Sequence, residues 1–86
     1  MTENITRRRE NEVKRLKKFM IEFRRLEVAP TRMSKAELAS ALGYNEPRSV
    51  DRILAGLPCI RDGKGCKYLI EDIASAIVQE ELKGAS

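Results

Sequence analysis

Apolar residues recur along this chain at two different spacings, and the change of spacing divides it into elements. From Arg7 to about Glu27, the residues Val13, Leu16, Met20 and Phe23 follow one another at intervals of three, four and three. That rhythm marks one face of an α-helix. Phe19 and Leu26 widen the stripe to about 140° of the helical wheel, which suits packing on a globular body better than a narrow coiled-coil seam. Two short helical patterns follow. One carries Leu38 and Leu42, and the other carries Val50, Ile53, Leu54 and Leu57. The spacing then shortens to two around Ile60, Tyr68 and Ile70, as in a pair of strands. Ile73, Ala74, Ile77, Val78 and Leu82 restore a helix over about Glu71 to Leu82.

The boundaries carry their own signals. Ala29-Pro30-Thr31 breaks the first helix, because proline supplies no N–H and clashes with the preceding turn. Ser34 and Glu37 stand at capping-box spacing, so each side chain can satisfy the other's orphaned backbone N–H. Gly43 suits the left-handed residue that ends a helix. Pro47 suits the first position of the next one, and Gly56 with Pro58 stops it. Asp62-Gly63 is a hairpin-turn dipeptide, and it predicts two strands over about Cys59–Ile70.

Two short helices joined by a glycine-containing turn predict a helix-turn-helix, a motif whose second helix enters the DNA major groove. On that second helix, at about 100° per residue, Arg48 and Arg52 project away from the Val50, Ile53 and Leu54 face. Arginine can grip guanine O6 and N7 with its two-pronged guanidinium, or it can hold a phosphate. The hairpin adds Arg61, Lys64 and Lys67 on or near its tip, where contact with phosphate would supply affinity rather than base reading. An ordinary solvated helix face and a solubilising hairpin would show the same residues.

These segments resemble the excisionase-like, winged-helix domains related to mercury-resistance-type regulators. The resemblance covers Ser34 to about Leu82. It rests on SKAELASALG as the first helix of the pair, on SVDRILAGLPCIR as the second helix running into the wing, and on KYLIEDIASAI as the returning strand and closing helix. The stretch Tyr44-Asn45-Glu46-Pro47 is about one residue longer than the family's usual turn. The resemblance implies major-groove contacts from Arg48, Ser49 and Arg52, and backbone or minor-groove contacts from Arg61, Lys64 and Lys67. The expected fold is therefore mainly α, a winged helix-turn-helix with one two-stranded β-hairpin and an added N-terminal helix. Residues 1–30 form that basic amphipathic helix and residues 31–86 the winged domain. The implied function is that of a small sequence-specific DNA-binding protein of a mobile element or phage, acting as an excisionase or a transcriptional regulator. Its partners would be double-stranded DNA and, beyond it, an integrase or recombinase or a second copy of the chain. The competing reading is a protein-interaction module that keeps the winged scaffold without binding DNA, since fold does not fix function.

Charge refines this picture. The chain of 86 residues carries a net +4, but residues 1–33 hold +5 and residues 34–86 hold −1. The field over the winged region is mild for a DNA binder. Arg7, Lys14, Lys18 and Arg25 lie opposite the apolar stripe of the first helix, where they could run beside phosphates or simply face solvent. Histidine is absent, so histidine-based acid–base and triad chemistry is excluded. No phosphate-binding or dinucleotide-binding glycine motif occurs. We therefore expect no enzyme, no cofactor and no metal site. Two cysteines cannot complete a four-ligand zinc site alone. Cys59 and Cys66 would face each other if Asp62-Gly63 were a two-residue turn. They are read as small, partly buried strand residues, with redox pairing as the alternative. No apolar run approaches the roughly 18 residues of a membrane span, and no signal-peptide core opens the chain. A cytoplasmic location follows by default.

Overall fold

A computed structural model describes residues 2–63 and 65–85, with side chains of 2–4, Pro47, Ser49, Asp62 and 83–85 left out. Helix α1 spans Thr2–Arg24 and ends in a left-handed turn at Arg25, φ 53°. The Leu26 N–H donates to the Ile21 carbonyl at 3.0 Å across that turn, the bond that closes a Schellman cap. Strand β1 is Arg32–Ser34, helix α2 is Lys35–Leu42, and a 3-10 turn over Pro47–Val50 leads into a single α-turn, α3, at Asp51–Leu54. Strands β2 (Ile60–Asp62) and β3 (Gly65–Leu69) precede helix α4 at Ile70–Ala85.

The architecture is mainly helical with a small antiparallel sheet. That sheet has three strands rather than the expected two, in the order β1-β3-β2. The hairpin is present, but β3 gains a second neighbour in β1, with Met33 opposite Tyr68. The Ile70 N–H extends this pairing by donating to the Thr31 carbonyl at 2.9 Å. Three residues are too few to show alternation, so β1 has no periodic signal in the sequence. Met33, flanked by polar Arg32 and Ser34, is drawn in because its side chain is fully buried.

The turn falls one residue later than an Asp62-Gly63 turn would, which moves the strand pairing by two residues. Asp62 pairs with Gly65, Arg61 with Cys66 and Ile60 with Lys67. The loop therefore begins at Gly63, and Asp62 belongs to the strand. Gly63 adopts φ 68°, the positive value that short hairpin loops require of their first residue. Asp62 stays in the ladder as its last extended residue.

One core joins the helices and the sheet. Leu16 and Met20 of α1, Met33 of β1, Leu38 and Ala39 of α2, Val50, Leu54, and Ile70, Ile73 and Ile77 of α4 form a single buried cluster. α1 packs mainly along α4, as expected of the closing helix. Phe23 departs from the expected stripe and is 53% exposed. It stacks on Phe19 with ring centroids 5.0 Å apart. The core closes at Met20, and the last turn of α1 beyond it is solvated. Leu82, expected on the buried side of α4, is likewise exposed.

Candidate functional site

The candidate surface begins where α2 is anchored. The Ser34 hydroxyl accepts from the Glu37 N–H at 3.2 Å, and the Glu37 carboxylate accepts from the Ser34 N–H at 2.8 Å. This is the capping box expected from the spacing. Glu37 does more, because its other oxygen accepts from Arg24 Nε at 2.7 Å, with Nη2 at 2.6 Å. The two-pronged grip ties the end of α1 to the start of α2. A separation of 13 residues gives no sequence signal for it, and Glu37 was legible as a cap alone.

Glu37 is buried. Burial by itself pushes its carboxyl pKa up. The Ser34 backbone N–H, the Arg24 guanidinium and the Ser34 hydroxyl oppose this, aided by the Arg24 charge, and hold it below the usual carboxylate value. A carboxylate whose folded pKa lies below its unfolded one stabilises fully above the unfolded value. That stability is lost as pH falls through the folded value. Denaturation followed between about pH 7 and pH 3 should therefore show falling stability below about pH 5. Glu37→Gln should cost about 1–2 kcal/mol at neutral pH and flatten this acid limb. An unchanged acid limb in the variant would show that other carboxylates set it.

At the far end of α2, Gly43 takes φ 79° and its N–H donates to the Ser40 carbonyl at 3.1 Å. The Tyr44 N–H donates to Ala39 at 2.9 Å. These bonds close the helix and turn the chain toward Pro47. The expected second helix from Pro47 to about Leu57 is shorter than its apolar stripe suggests. Its first four residues form the 3-10 turn, its α-helical part stops at Leu54, and Ala55 is already extended. Val50 and Leu54 are buried, while Ile53 and Leu57 pack partly against the core, so the stripe faces the core as expected. Lys35 pairs with Asp51, linking the first turn of α2 to α3.

Arg48 and Arg52 are both exposed. They do not share one continuous α-helix, because Arg48 belongs to the 3-10 turn. In such a turn residues three apart eclipse, so the same-face neighbour of Arg48 is Asp51 rather than Arg52. Ser49 lies in the same turn, with its side chain outside the described ones. On the hairpin, Arg61 is exposed on β2. Lys67 is half-buried on the central strand, with Ile60 opposite it on one side and Ser34 on the other. It is therefore a mid-sheet residue and not a tip residue. Successive strand residues point to opposite faces, so Arg61 and Lys67 project from opposite sides of the hairpin. Lys64 lies outside the described residues.

Among the described residues, Arg48, Arg52 and Arg61 have no acidic side chain as an ion-pair partner. The arrangement can thus offer three guanidinium groups outside ion pairs, two on the segment after the turn, where Arg52 shares a hollow with Asp72 and Glu80, and one on the hairpin. No group of three His, Cys, Asp or Glu side chains among the described residues is placed to hold a metal ion, and no helix among them is long and apolar enough to cross a membrane. Compared with known proteins, the chain matches no family model, no curated protein and no solved structure.

Proposed function

We propose that this chain is a winged helix-turn-helix DNA-binding protein of a mobile element or phage, acting as an excisionase or as a transcriptional regulator. The observation that carries the reading is the succession of α2, a glycine-capped turn, the helical segment bearing Arg48 and Arg52, and a hairpin bearing Arg61, with no acidic partner for these arginines among the described residues. Binding phosphate would break no existing ion pair at these three positions. The helical segment would enter the major groove, with Arg48, Ser49 and Arg52 nearest the bases. The hairpin would act as the wing, with Arg61, Lys64 and Lys67 serving affinity. An integrase or recombinase, or a second copy of the chain, would be its further partner. A gene for an integrase beside this one would favour excision, and a divergent promoter would favour regulation.

A mobility-shift titration on a random-sequence duplex, repeated from about 50 to 200 mM salt, tests the class of partner. Each neutralised phosphate releases condensed counterions, so log affinity should fall linearly with log salt. Three to five phosphate contacts predict a loss of roughly 40- to 500-fold over that range. Failure to bind any duplex at the lowest salt would favour the protein-interaction module instead.

A further inference from the structure

We propose that Cys59 and Cys66 form a reversible thiol–disulfide clamp on the β2–β3 hairpin, opened and closed by exchange with a low-molecular-weight thiol and its disulfide. The two residues are joined, with Cα atoms 5.7 Å apart, inside the range a disulfide spans without backbone movement. Cys59 directly precedes β2, and Cys66 lies opposite Arg61. Residues 59 and 61 project to the same face of the strand, so both sulfurs and the Arg61 side chain share it. Both cysteines are exposed, contrary to the partly buried position expected of them. Cys66 borders a shallow hollow whose other walls are Arg61, Gly63 and Gly65. Two of those described walls have no side chain, and the exposed Cys66 sulfur is the point at which a small thiol would attack.

The hairpin depends on this link because little else holds it. Between Leu54 and Ile70, no described residue is fully buried. β2 is an edge strand of three residues, paired with β3 alone. β2 therefore has only one strand to hold it, a marginal arrangement for so short an element, and the crosslink removes part of the freedom of its opened state.

The exchange balances with two equivalents of thiol. One thiolate attacks the Cys66 sulfur, breaking the S–S bond, and Cys59 leaves as a thiolate that takes up a proton. A second thiolate attacks the small-molecule sulfur of the mixed disulfide, releasing Cys66. The chain gains two electrons and two protons, and two thiols become one disulfide. Exposed disulfides are the labile ones. Any consequence for DNA rests on the reading of the hairpin as a wing, whereas the exchange itself does not.

The test equilibrates the full chain in buffers of reduced and oxidised glutathione and reads three things. Alkylation followed by mass measurement should show conversion between a species with no free thiol and one with two. Amide exchange at residues 60–62 and 65–67 should be on the order of tenfold to a hundredfold faster in the reduced form, with α4 unaffected. The double Cys59→Ser/Cys66→Ser variant should match the reduced form in every buffer. Thiols that remain free at all ratios, a bond that glutathione cannot reduce in the folded chain, or equal hairpin exchange in both states would each overturn the proposal. Duplex affinity is read in parallel. A redox response present in the wild type and absent in the double variant extends the clamp to DNA control. A switching hairpin with constant affinity rejects that extension, and a switching hairpin in a chain that binds no duplex overturns the DNA reading alone.

Discussion

Replacing Leu16 with alanine is expected to lower the stability of the folded chain by about 3–5 kcal/mol, the upper part of the range for a truncated core leucine. Leu16 is fully buried and belongs to the same cluster as Met33, Leu38 and Ile73. A domain of this size commonly has only about 4–13 kcal/mol in total, so the loss should shift the urea midpoint strongly and leave part of the population unfolded at 37 °C. Phe23→Ala is the matched control. Phe23 is half exposed and its main partner is the Phe19 ring, so the cost should stay near 1 kcal/mol, mostly the lost ring pair. Similar costs for the two variants would mean that α1 does not pack as described. Deleting residues 1–28 goes further, since it strips the α1 side from the shared core. The truncated chain should lose cooperative unfolding, and an unchanged melting temperature would show α1 to be a dispensable arm.

Much of this fold was legible because its signals are local. The capping box at Ser34 and Glu37, the left-handed Gly43 and the inward stripe of Val50 and Leu54 each depend on residues within one or two turns of each other. The features that escaped depend on distant partners. β1 exists because β3 and the core recruit Met33. Arg24 meets Glu37 because α1 happens to end beside α2. The hairpin register turned on whether Gly63 would be the first or the second loop residue, and the dipeptide Asp62-Gly63 suits either placement. That single step put Arg61, rather than Cys59, opposite Cys66. It leaves the two cysteines diagonal across the ladder but on one face. The exposure of Arg48, Arg52 and Arg61 followed from their distance from the apolar stripes, while the mid-sheet position of Lys67 required knowing that β3 is the central strand. The length of the second helix was overestimated because an apolar stripe continues through Leu57 after the backbone has left the helix at Ala55.

The second large effect concerns DNA. Under the proposed function, Arg48→Ala or Arg52→Ala should each cost about 1–3 kcal/mol at the preferred site and relax preference at one base pair, as loss of a two-pronged guanine contact does. Lys64→Ala should act differently. A contact to phosphate alone weakens all sequences alike and lowers the salt slope by about one unit. Because Arg48 sits on a 3-10 turn and Arg52 on α3, the two arginines should not be equivalent. The one nearer the groove floor should carry the larger loss of selectivity.

The most direct measurement is a duplex selection from a random library with the intact chain, followed by titration of the selected duplex and of a scrambled one at a single fixed salt. The same titrations are made with the double Arg48→Ala/Arg52→Ala variant, after its fold has been verified by circular dichroism. The account predicts that the intact chain prefers the selected duplex, and that the folded variant binds both duplexes weakly and about equally. A folded variant that keeps wild-type affinity and selectivity would contradict the claim that this helical segment reads DNA.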